Sequence, residues 1–223
     1  MTEFDPQQAA RAHRRGCPKN FTALRNLIRA DLYRYAGSTG VKAFARHFLF
    51  TPGFKYSATM RTCGYLKTLP ARGFGLYLVG KAYLLHLRYK YGIAIPEYTR
   101  IGPGLMINRF SGVFINGGVE IGSNVNITHG TVLGQLNRGP RAGNPVIGDR
   151  VFFGSGAKVI GRIFVGDDAS IGANAVVTRD VPAQGVAGGV PAKILSDAGS
   201  QGYINRQVPE WLMRKCADCF VDD

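Results

Sequence analysis

A chain of 223 residues has room for one or two domains, and its shares of apolar (45%) and charged (19%) residues are those of a globular protein. Its four cysteines have no framework spacing, which excludes a disulfide-stapled scaffold, and without a signal peptide ahead of them they favour a reduced, cytoplasmic setting. The net charge of +14 calls for an anionic partner.

The positive charge is concentrated in the first part of the chain. Residues 1–94 hold 16 lysines and arginines against three acids, whereas residues 95–223 hold 12 against 11. This asymmetry predicts a partner for the N-terminal part alone: anionic lipid, an anionic substrate or nucleic acid. Nucleic acid is not expected, because the basic segment contains no recognised binding motif.

Residues 1–94 are predicted to form a basic α-helical N-terminal domain. Residues 1–20 are polar and have no periodicity, so we expect a frayed start. Apolar residues at helical spacing then predict four helices, with Arg25, Arg29 and Arg34 off the apolar face of the first. The helices are predicted over Thr22–Tyr35, Val41–Leu49, Phe54–Leu69 and Phe74–Tyr91.

Aromatic residues stand beside lysine and arginine throughout these helices. The longest stretch with little charge, Phe74–Leu87, is about 14 residues long, shorter than the roughly 20 that span a bilayer. Such a mixture is typical of a helix that lies on a membrane surface, which would make the protein peripheral to the inner face of a membrane. A helical cap that packs on itself and on other subunits is the alternative, and both remain open.

The second half of the chain carries a repeat of six residues. Neither a helix nor a single strand has this period, whereas a parallel β-helix does. Each hexad forms one short strand and a turn, and three hexads complete a coil that buries its core against the next coil. The large apolar positions are Ile147, Phe153, Val159, Val165, Ile171 and Val177, and glycine follows most of them.

The same ladder runs back to Ile95, with two interruptions. The step from Ile107 to Ile115 is eight residues, which indicates a two-residue insertion near residues 108–112. The step from Leu133 to Ile147 is 14 residues and includes a polar, Gly- and Pro-rich stretch, which predicts an extruded loop over residues 135–146. We therefore predict a β-helix over residues 95–195 and a C-terminal tail over residues 196–223 with one short helix near Val208–Val221. Interruptions of a repeat are common places for function.

The ladder, the eight-residue step, the extruded loop and the closing segment Val186–Ile194 resemble the hexapeptide-repeat acyltransferases. The order of these features is most similar to the serine O-acetyltransferase branch, especially its polysaccharide-modifying relatives, over about residues 91–195. The resemblance implies a left-handed parallel β-helix and a homotrimer. It also implies acetyl-CoA as co-substrate in a groove between two subunits, with no metal.

The resemblance also identifies where a catalytic base is expected. Serine-specific members of the family carry a histidine base in an Asp-His-Ala-Thr-Gly segment at the insertion, and Asn108–Gly112 matches that segment here. Arg109 stands at the position of the base, and an arginine does not give up its proton at neutral pH. The orienting acid of the family falls on Ala94 and a second histidine on Asn144. These departures argue against serine as the acceptor.

His129 is the candidate base in this chain. It lies 20 residues after Arg109, and subtracting the insertion leaves one coil, so the two are predicted to stack about 4.8 Å apart. Arg109 would then keep the imidazole neutral and, with Asn108 and Asn144, bind the acceptor. A purely structural His129, bonded to backbone at a corner, is the alternative. His13, His47 and His86 are interpreted as surface or packing residues.

The carrier site follows from the resemblance. Coenzyme A is expected to lie against corners that match Gly134, Ser155 and Ala173, where small residues let it approach the backbone. Lys193 and Lys158 are candidates for its phosphates. Backbone N–H groups near Gly134 are expected to bind the oxyanion. No acyl-enzyme is expected, because the sequence reveals no serine or cysteine with a paired base.

These features predict an acetyl-CoA-dependent O-acetyltransferase that acts on a sugar hydroxyl in polysaccharide or lipid-linked glycan biosynthesis, by direct transfer. Three alternatives remain open: a sugar N-acyltransferase, a serine O-acetyltransferase-like enzyme, and a non-catalytic β-helix scaffold. The pair Cys216 and Cys219 is a weak zinc signal without a second pair or a nearby histidine, and free thiols are expected.

Overall fold

The computed structural model describes residues 16–70 and 73–221. Most of the start predicted over residues 1–20, including His13, lies outside the described residues. The four predicted helices are present, and a fifth lies in the tail. They are α1 (Phe21–Ala36), α2 (Val41–Phe50), α3 (Pro52–Thr68), α4 (Phe74–Tyr91) and α5 (Glu210–Cys216).

Local chemistry explains where the helices begin and end. The Asn20 side chain accepts a hydrogen bond from the Ala23 N–H at 2.8 Å, which caps the start of α1. Gly37 ends α1 at φ 66°, a left-handed conformation that favours glycine. Pro52 is in the first turn of α3, where its missing N–H costs nothing, and α2 ends just before it.

Between α4 and the end of the described residues at 221, the chain forms fifteen strands, most of them two or three residues long. They are β1 (Ile93–Ala94), β2 (Arg100–Ile101), β3 (Met106–Ile107), β4 (Val113–Ile115), β5 (Glu120–Ile121), β6 (Asn126–Ile127), β7 (Val132–Gly134), β8 (Val146–Ile147), β9 (Phe152–Phe153), β10 (Lys158–Ile160), β11 (Phe164–Val165), β12 (Ser170–Ile171), β13 (Val176–Val177), β14 (Val186–Gly189) and β15 (Ala192–Ser196).

These strands form a left-handed parallel β-helix with three faces. The first face has the order β1-β4-β7-β10-β13, the second β2-β5-β8-β11, and the third β3-β6-β9-β12-β14, which β15 extends as an antiparallel edge. Pairing is in register, so that Ile121 lies between Ile101 and Ile147 on the second face. The predicted hexapeptide ladder is confirmed, and its apolar residues point into a continuous core.

Two boundaries differ from the prediction. The first rung begins at Ile93, two residues before Ile95, because Ile93 pairs with Val113. Val146 already belongs to β8, so the extruded loop covers residues 135–145. A second buried ladder, two positions before the first, was not predicted: it includes Val119, Val125, Val151, Ala157, Ile163, Ala169 and Ala175. Both ladders belong to the same apolar core.

Two corners of the prism hold the residues that the sequence marks as functional. The His129 corner joins the third face to the first and comprises residues 108–112, 128–131, 154–157 and 172–175. The loop corner joins the first face to the second and comprises residues 95–99, 116–119, 135–145, 161–163 and 178–180.

The helices are joined to the first coil by a buried ion pair. Arg61 donates to both carboxylate oxygens of Asp31, at 2.7 and 3.0 Å, and both side chains are buried. Arg61 also donates to the Ile101 and Gly102 carbonyls. The carboxylate in turn accepts the Gly104 and Leu105 N–H groups. One ion pair thus satisfies four backbone groups of the coil.

Arg34 was predicted to lie off the apolar face of α1, and this prediction is wrong. Its side chain is only 1% exposed and donates to the Gly104 carbonyl (2.8 Å), Asn126 Oδ1 (2.6 Å) and the Asn205 carbonyl (3.1 Å). Burial lowers its pKa to about 10, against the opposing effects of Tyr35 and Asp31. The three acceptors compensate for burying the charge.

The tail closes over α1. Helix α5 covers Glu210–Cys216, a shorter span than predicted; its Leu212, and Val208 just before it, pack in one apolar cluster with α1. All four cysteines are buried, and none of them forms a disulfide. Within residues 16–70 and 73–221, no helix is both long enough and apolar enough to cross a bilayer.

Replacing Arg61 by methionine is expected to destabilise the fold by about 3–5 kcal/mol, because the buried Asp31 carboxylate would lose its counter-charge. The matched control is Arg150→Met, which breaks a half-exposed pair with Asp168. We expect that change to cost less than about 1 kcal/mol. Urea unfolding followed by circular dichroism, at one protein concentration, measures both. Equal losses would refute a special role for the buried pair.

Candidate active site

A tight turn presents His129 to solvent. Thr128 donates its hydroxyl to the Phe153 carbonyl at 2.8 Å, and Thr131 donates to the Thr128 carbonyl at 2.8 Å. Both threonines are buried, while Gly130 between His129 and Thr131 has φ 72°. A Cβ on Gly130 would lie 3.0 Å from the Gly156 Cα of the next coil. The turn therefore needs glycine at this position and leaves the imidazole exposed.

His129 has a serine partner. Its Nδ1 lies 3.4 Å from the Ser155 Oγ of the next coil, a contact at the long end of hydrogen-bond distance. The expectation that no serine has a paired base is therefore wrong, because two residues 26 positions apart become neighbours when the coils stack. Among the described residues, Ser155 is the one hydrogen-bond partner of the ring, whereas the structural alternative expected a backbone partner.

Ser155 continues a column of small residues along this corner. The pairing of β9 with β12 brings Ala173 opposite Ser155, and the Asn174 N–H donates to the Ser155 carbonyl at 2.8 Å. Lys158 reaches back to the same corner and donates its Nζ to the Gly156 carbonyl at 2.9 Å. One coil further, Lys193 pairs with Gly188 across the hairpin of β14 and β15. The column therefore offers small residues flanked by cations.

Arg109 lies in the coil on the other side of His129. Ile107 pairs with Ile127, and the Asn108 N–H donates to the Ile127 carbonyl at 2.9 Å. The next link is Gly130 N–H to the Ser111 carbonyl, so residues 108–111 bulge over Thr128 and His129. Asn108 and Arg109 are both exposed. In the described part of the chain, Arg109 makes no hydrogen bond and no ion pair.

Gly134 and Asn144 do not join this group within one chain. Gly134 ends β7 at the loop corner, and the Asn144 amide packs against Gly118 at the same corner. Gly134 lies five residues after His129 along an extended strand, on the order of 15 Å away. The first face separates the two corners within one chain, so the expectation that backbone near Gly134 binds an oxyanion stays a prediction for a site between two subunits.

The two other histidines in the described residues, His47 and His86, lie on helices away from His129. His47 is half-buried on α2 and shares a hydrogen bond with Thr51 Oγ1 at 2.9 Å. Burial lowers the pKa of His47, and Arg46 and Arg206 add to this effect. His86 is exposed on α4. Ala94, where the family's orienting acid was expected, is buried in β1.

A cavity of about 600 Å³ between α4 and the first face was not foreseen from the sequence. Its wall includes Tyr98, Phe114 and Asn116, together with Lys81, which pairs with the buried Glu97. Burial alone would raise the pKa of Glu97, but hydrogen bonds from Lys81 and Tyr77 hold that pKa below its ordinary value. Gly134 also lines this cavity.

No metal site is evident in the described part of the chain, where no three His, Cys, Asp or Glu side chains are grouped closely enough to hold an ion. Cys216 and Cys219 instead pack in an apolar cluster against α1.

Comparison with known proteins identifies the class of protein to which this chain belongs. Residues 144–179 match the family model described as bacterial transferase hexapeptide (six repeats). The serine acetyltransferase of Helicobacter pylori strain J99 is 42% identical over 120 residues, which are 54% of this chain and 70% of that protein.

Solved structures agree. Serine acetyltransferase from Brucella abortus strain S19, in complex with coenzyme A, superposes with a TM-score of 0.63 at 28% identity over 79% of this chain and 68% of that chain. Soybean serine acetyltransferase complexed with serine has a TM-score of 0.63 at 28% identity, over 78% of this chain and 70% of that chain.

The chain belongs to the serine acetyltransferase family of hexapeptide transferases. The family is one of acyltransferases, which favours an enzyme over the non-catalytic scaffold. The predicted special similarity to polysaccharide-modifying acetyltransferases is not supported. The Helicobacter pylori and Brucella abortus proteins that this chain resembles are serine acetyltransferases.

Replacing His129 by alanine is expected to lower acetyl-CoA turnover by about a hundredfold or more, because the acceptor hydroxyl would lose its proton acceptor. Turnover is measured as the release of free thiol at a saturating concentration of acceptor. The matched control is His86→Ala, an exposed histidine on α4. Unchanged turnover in the His129 variant would remove this residue from the chemistry.

The Ser155→Ala variant separates two roles for the serine. If Ser155 only orients the imidazole, kcat should fall about fivefold, the equivalent of one neutral hydrogen bond of about 1 kcal/mol. Loss of all turnover, with an acetyl group found on Ser155 of the quenched wild-type enzyme by mass spectrometry, would instead establish an acyl-serine route.

Proposed function

We propose that this protein is an acetyl-CoA-dependent O-acetyltransferase with His129 as general base and serine as acceptor. The observation that carries the proposal is the exposed His129 in contact with Ser155, at the corner where the repeat is interrupted. Membership of the serine acetyltransferase family supports the reaction and favours serine over the sugar hydroxyl expected from the sequence.

The proton transfer falls to the two nitrogens of His129. When Nδ1–H donates to Ser155 Oγ, Nε2 is the free acceptor for the hydroxyl proton of the substrate. The exposed ring leaves room for an acceptor on the Nε2 side. After transfer, the same nitrogen can return the proton to the departing thiolate, so one group serves as base and then as acid.

Arg109 supplies the positive charge at the acceptor end. Its guanidinium is exposed and has no partner in the described part of the chain, and its planar fork matches a carboxylate. We assign to it the α-carboxylate of serine, with Asn108 beside it as a further hydrogen-bond donor. An acceptor held by Arg109 presents its hydroxyl toward His129 in the adjacent coil.

The proposed site for acetyl-CoA lies on the side of His129 opposite to Arg109, in the coils that follow His129 along the chain. Acetyl-CoA supplies an activated thioester when bound. Ser155 and Ala173 offer a surface of small residues against which an extended thiol arm fits, and Lys158 and Lys193 offer charge for phosphates. The Brucella abortus relative, which was solved with coenzyme A, supports a carrier site in this fold.

A homotrimer would complete the site. Gly134 and Asn144 lie at the loop corner, too far from His129 to act on the same acetyl group within one chain. A neighbouring subunit that packs its loop corner against the His129 corner would supply both. We propose this arrangement for the oxyanion donor and for the part of the acceptor site assigned to Asn144.

A sugar hydroxyl is the second candidate acceptor, and one observation favours it. Ala94 replaces the family's acid, and the nearest acid along the chain, Glu97, is buried and paired with Lys81. The ammonium group of serine therefore lacks a carboxylate partner there, whereas a neutral polyol needs none. An amine acceptor, as in sugar N-acyltransferases, belongs to the same test.

Turnover with L-serine, with a panel of neutral sugars and with amino sugars discriminates between these acceptors. We expect serine to be acetylated, and Arg109→Gln to raise its KM about tenfold or more while kcat changes little, because a charge-assisted hydrogen bond is worth about 1.5–3 kcal/mol. The matched control is Arg214→Gln, an exposed arginine on α5.

Acetylation of sugars without acetylation of serine would contradict serine as the acceptor and support a sugar hydroxyl. An Arg109 effect on kcat alone would argue against its role in acceptor binding. Failure of every acceptor, with intact coenzyme A binding, would contradict both candidates.

A further inference from the structure

The outer face of α4 is apolar and uncovered. The helix has 18 residues but buries only Leu84 and Leu87. Val79 is 68% exposed and Leu78 51%, on a helix that would be about 27 Å long. The exposed large apolar residues are Phe74, Leu76, Leu78, Val79, Tyr83, Leu85 and Tyr89. An uncovered patch of this extent marks an interaction surface.

Helix α2 exposes a second apolar surface. None of its ten residues is fully buried, because only one side of the helix packs on the cluster around Phe54. Val41, Leu49 and Phe50 are exposed, and the same helix carries the exposed cations Lys42 and Arg46.

The charge around both surfaces has a single sign. Asp31 is the one acid in the described residues between 16 and 94, and it is buried against Arg61. The exposed charges of α2 and α4 are therefore all cationic, including Lys90 near the end of α4. Exposed apolar side chains flanked by cations alone are the chemistry that anionic lipid headgroups and the acyl boundary below them would match.

We propose that the exposed faces of α4 and α2 dock the protein on the surface of an anionic lipid bilayer. The apolar side chains enter the boundary between headgroups and acyl chains, while Lys42, Arg46 and Lys90 meet lipid phosphates. The ion pair inside the helical part is not disturbed, because the docking faces point away from Asp31 and Arg61.

The charge pattern favours lipid over a second copy of the same face. In an isologous contact, the face of one subunit meets the same face of its partner. Such a contact would bring cations together without any exposed carboxylate to pair them, since the described residues of α1 to α4 expose none. A phosphate-rich surface supplies the missing counter-charge.

Co-sedimentation with vesicles tests the proposal. The full-length protein is mixed with vesicles of phosphatidylglycerol and phosphatidylcholine, or of phosphatidylcholine alone. We expect binding to the anionic vesicles only, weakened at about 1 M salt, where the Debye length falls to about 3 Å. The double variant Leu78→Glu, Val79→Glu should reduce this binding about tenfold or more, because it removes apolar burial and adds acid.

The matched control is Trp211→Glu, a comparable change at a residue 48% exposed on α5. It should bind vesicles as wild type does, and all variants should keep their circular dichroism and their turnover with a soluble acceptor. Absence of wild-type binding to anionic vesicles would overturn the proposal, as would undiminished binding by the double variant. A change of oligomeric mass in the double variant, without vesicle binding by wild type, would instead identify the face as a contact between copies.

Discussion

The structure depends on the ion pair between Asp31 and Arg61, because it covers the open end of the β-helix. A stack of parallel coils leaves unpaired backbone groups at its first coil, and such an edge is a template for unwanted pairing. Asp31 accepts the N–H groups of Gly104 and Leu105, while Arg61 donates to the carbonyls just before them. The charges neutralise each other, so the coil is capped without leaving an unpaired buried ion.

Once the first coil is held, the remaining coils follow from stacking, and stacking decides which side chains meet. Residues one coil apart become neighbours at the same corner, as Ser155 and His129 do. Residues close in sequence can be kept apart by one strand, as Gly134 is from His129. The residues proposed for the reaction therefore lie at two corners of one prism, which is the physical reason that a second subunit belongs in the proposed site.

The helical part shows two kinds of surface. Toward the β-helix it presents polar groups to backbone, as Arg34 does to the Gly104 carbonyl. Away from it, α4 and α2 present apolar side chains and cations. Asp31, the one acid in the described residues of α1 to α4, is buried in the first kind of surface, so the described residues of these four helices expose no carboxylate. The same residue thus contributes to both the stability of the fold and the charge of the proposed docking face.

The sequence by itself determined the helices, the hexapeptide ladder, the insertion near Arg109 and the candidacy of His129. These depend on periods within a few residues, which the order of side chains records directly. Only the tertiary structure decided that Arg34 is buried, that Ser155 contacts His129 and that Gly134 lies at another corner. Those facts depend on how whole coils and helices stack. A contact between residues far apart in the sequence produces no short repeat in the order of side chains, so the sequence does not reveal it. About half of the candidate site, namely the His129 corner without its serine contact, could therefore be predicted.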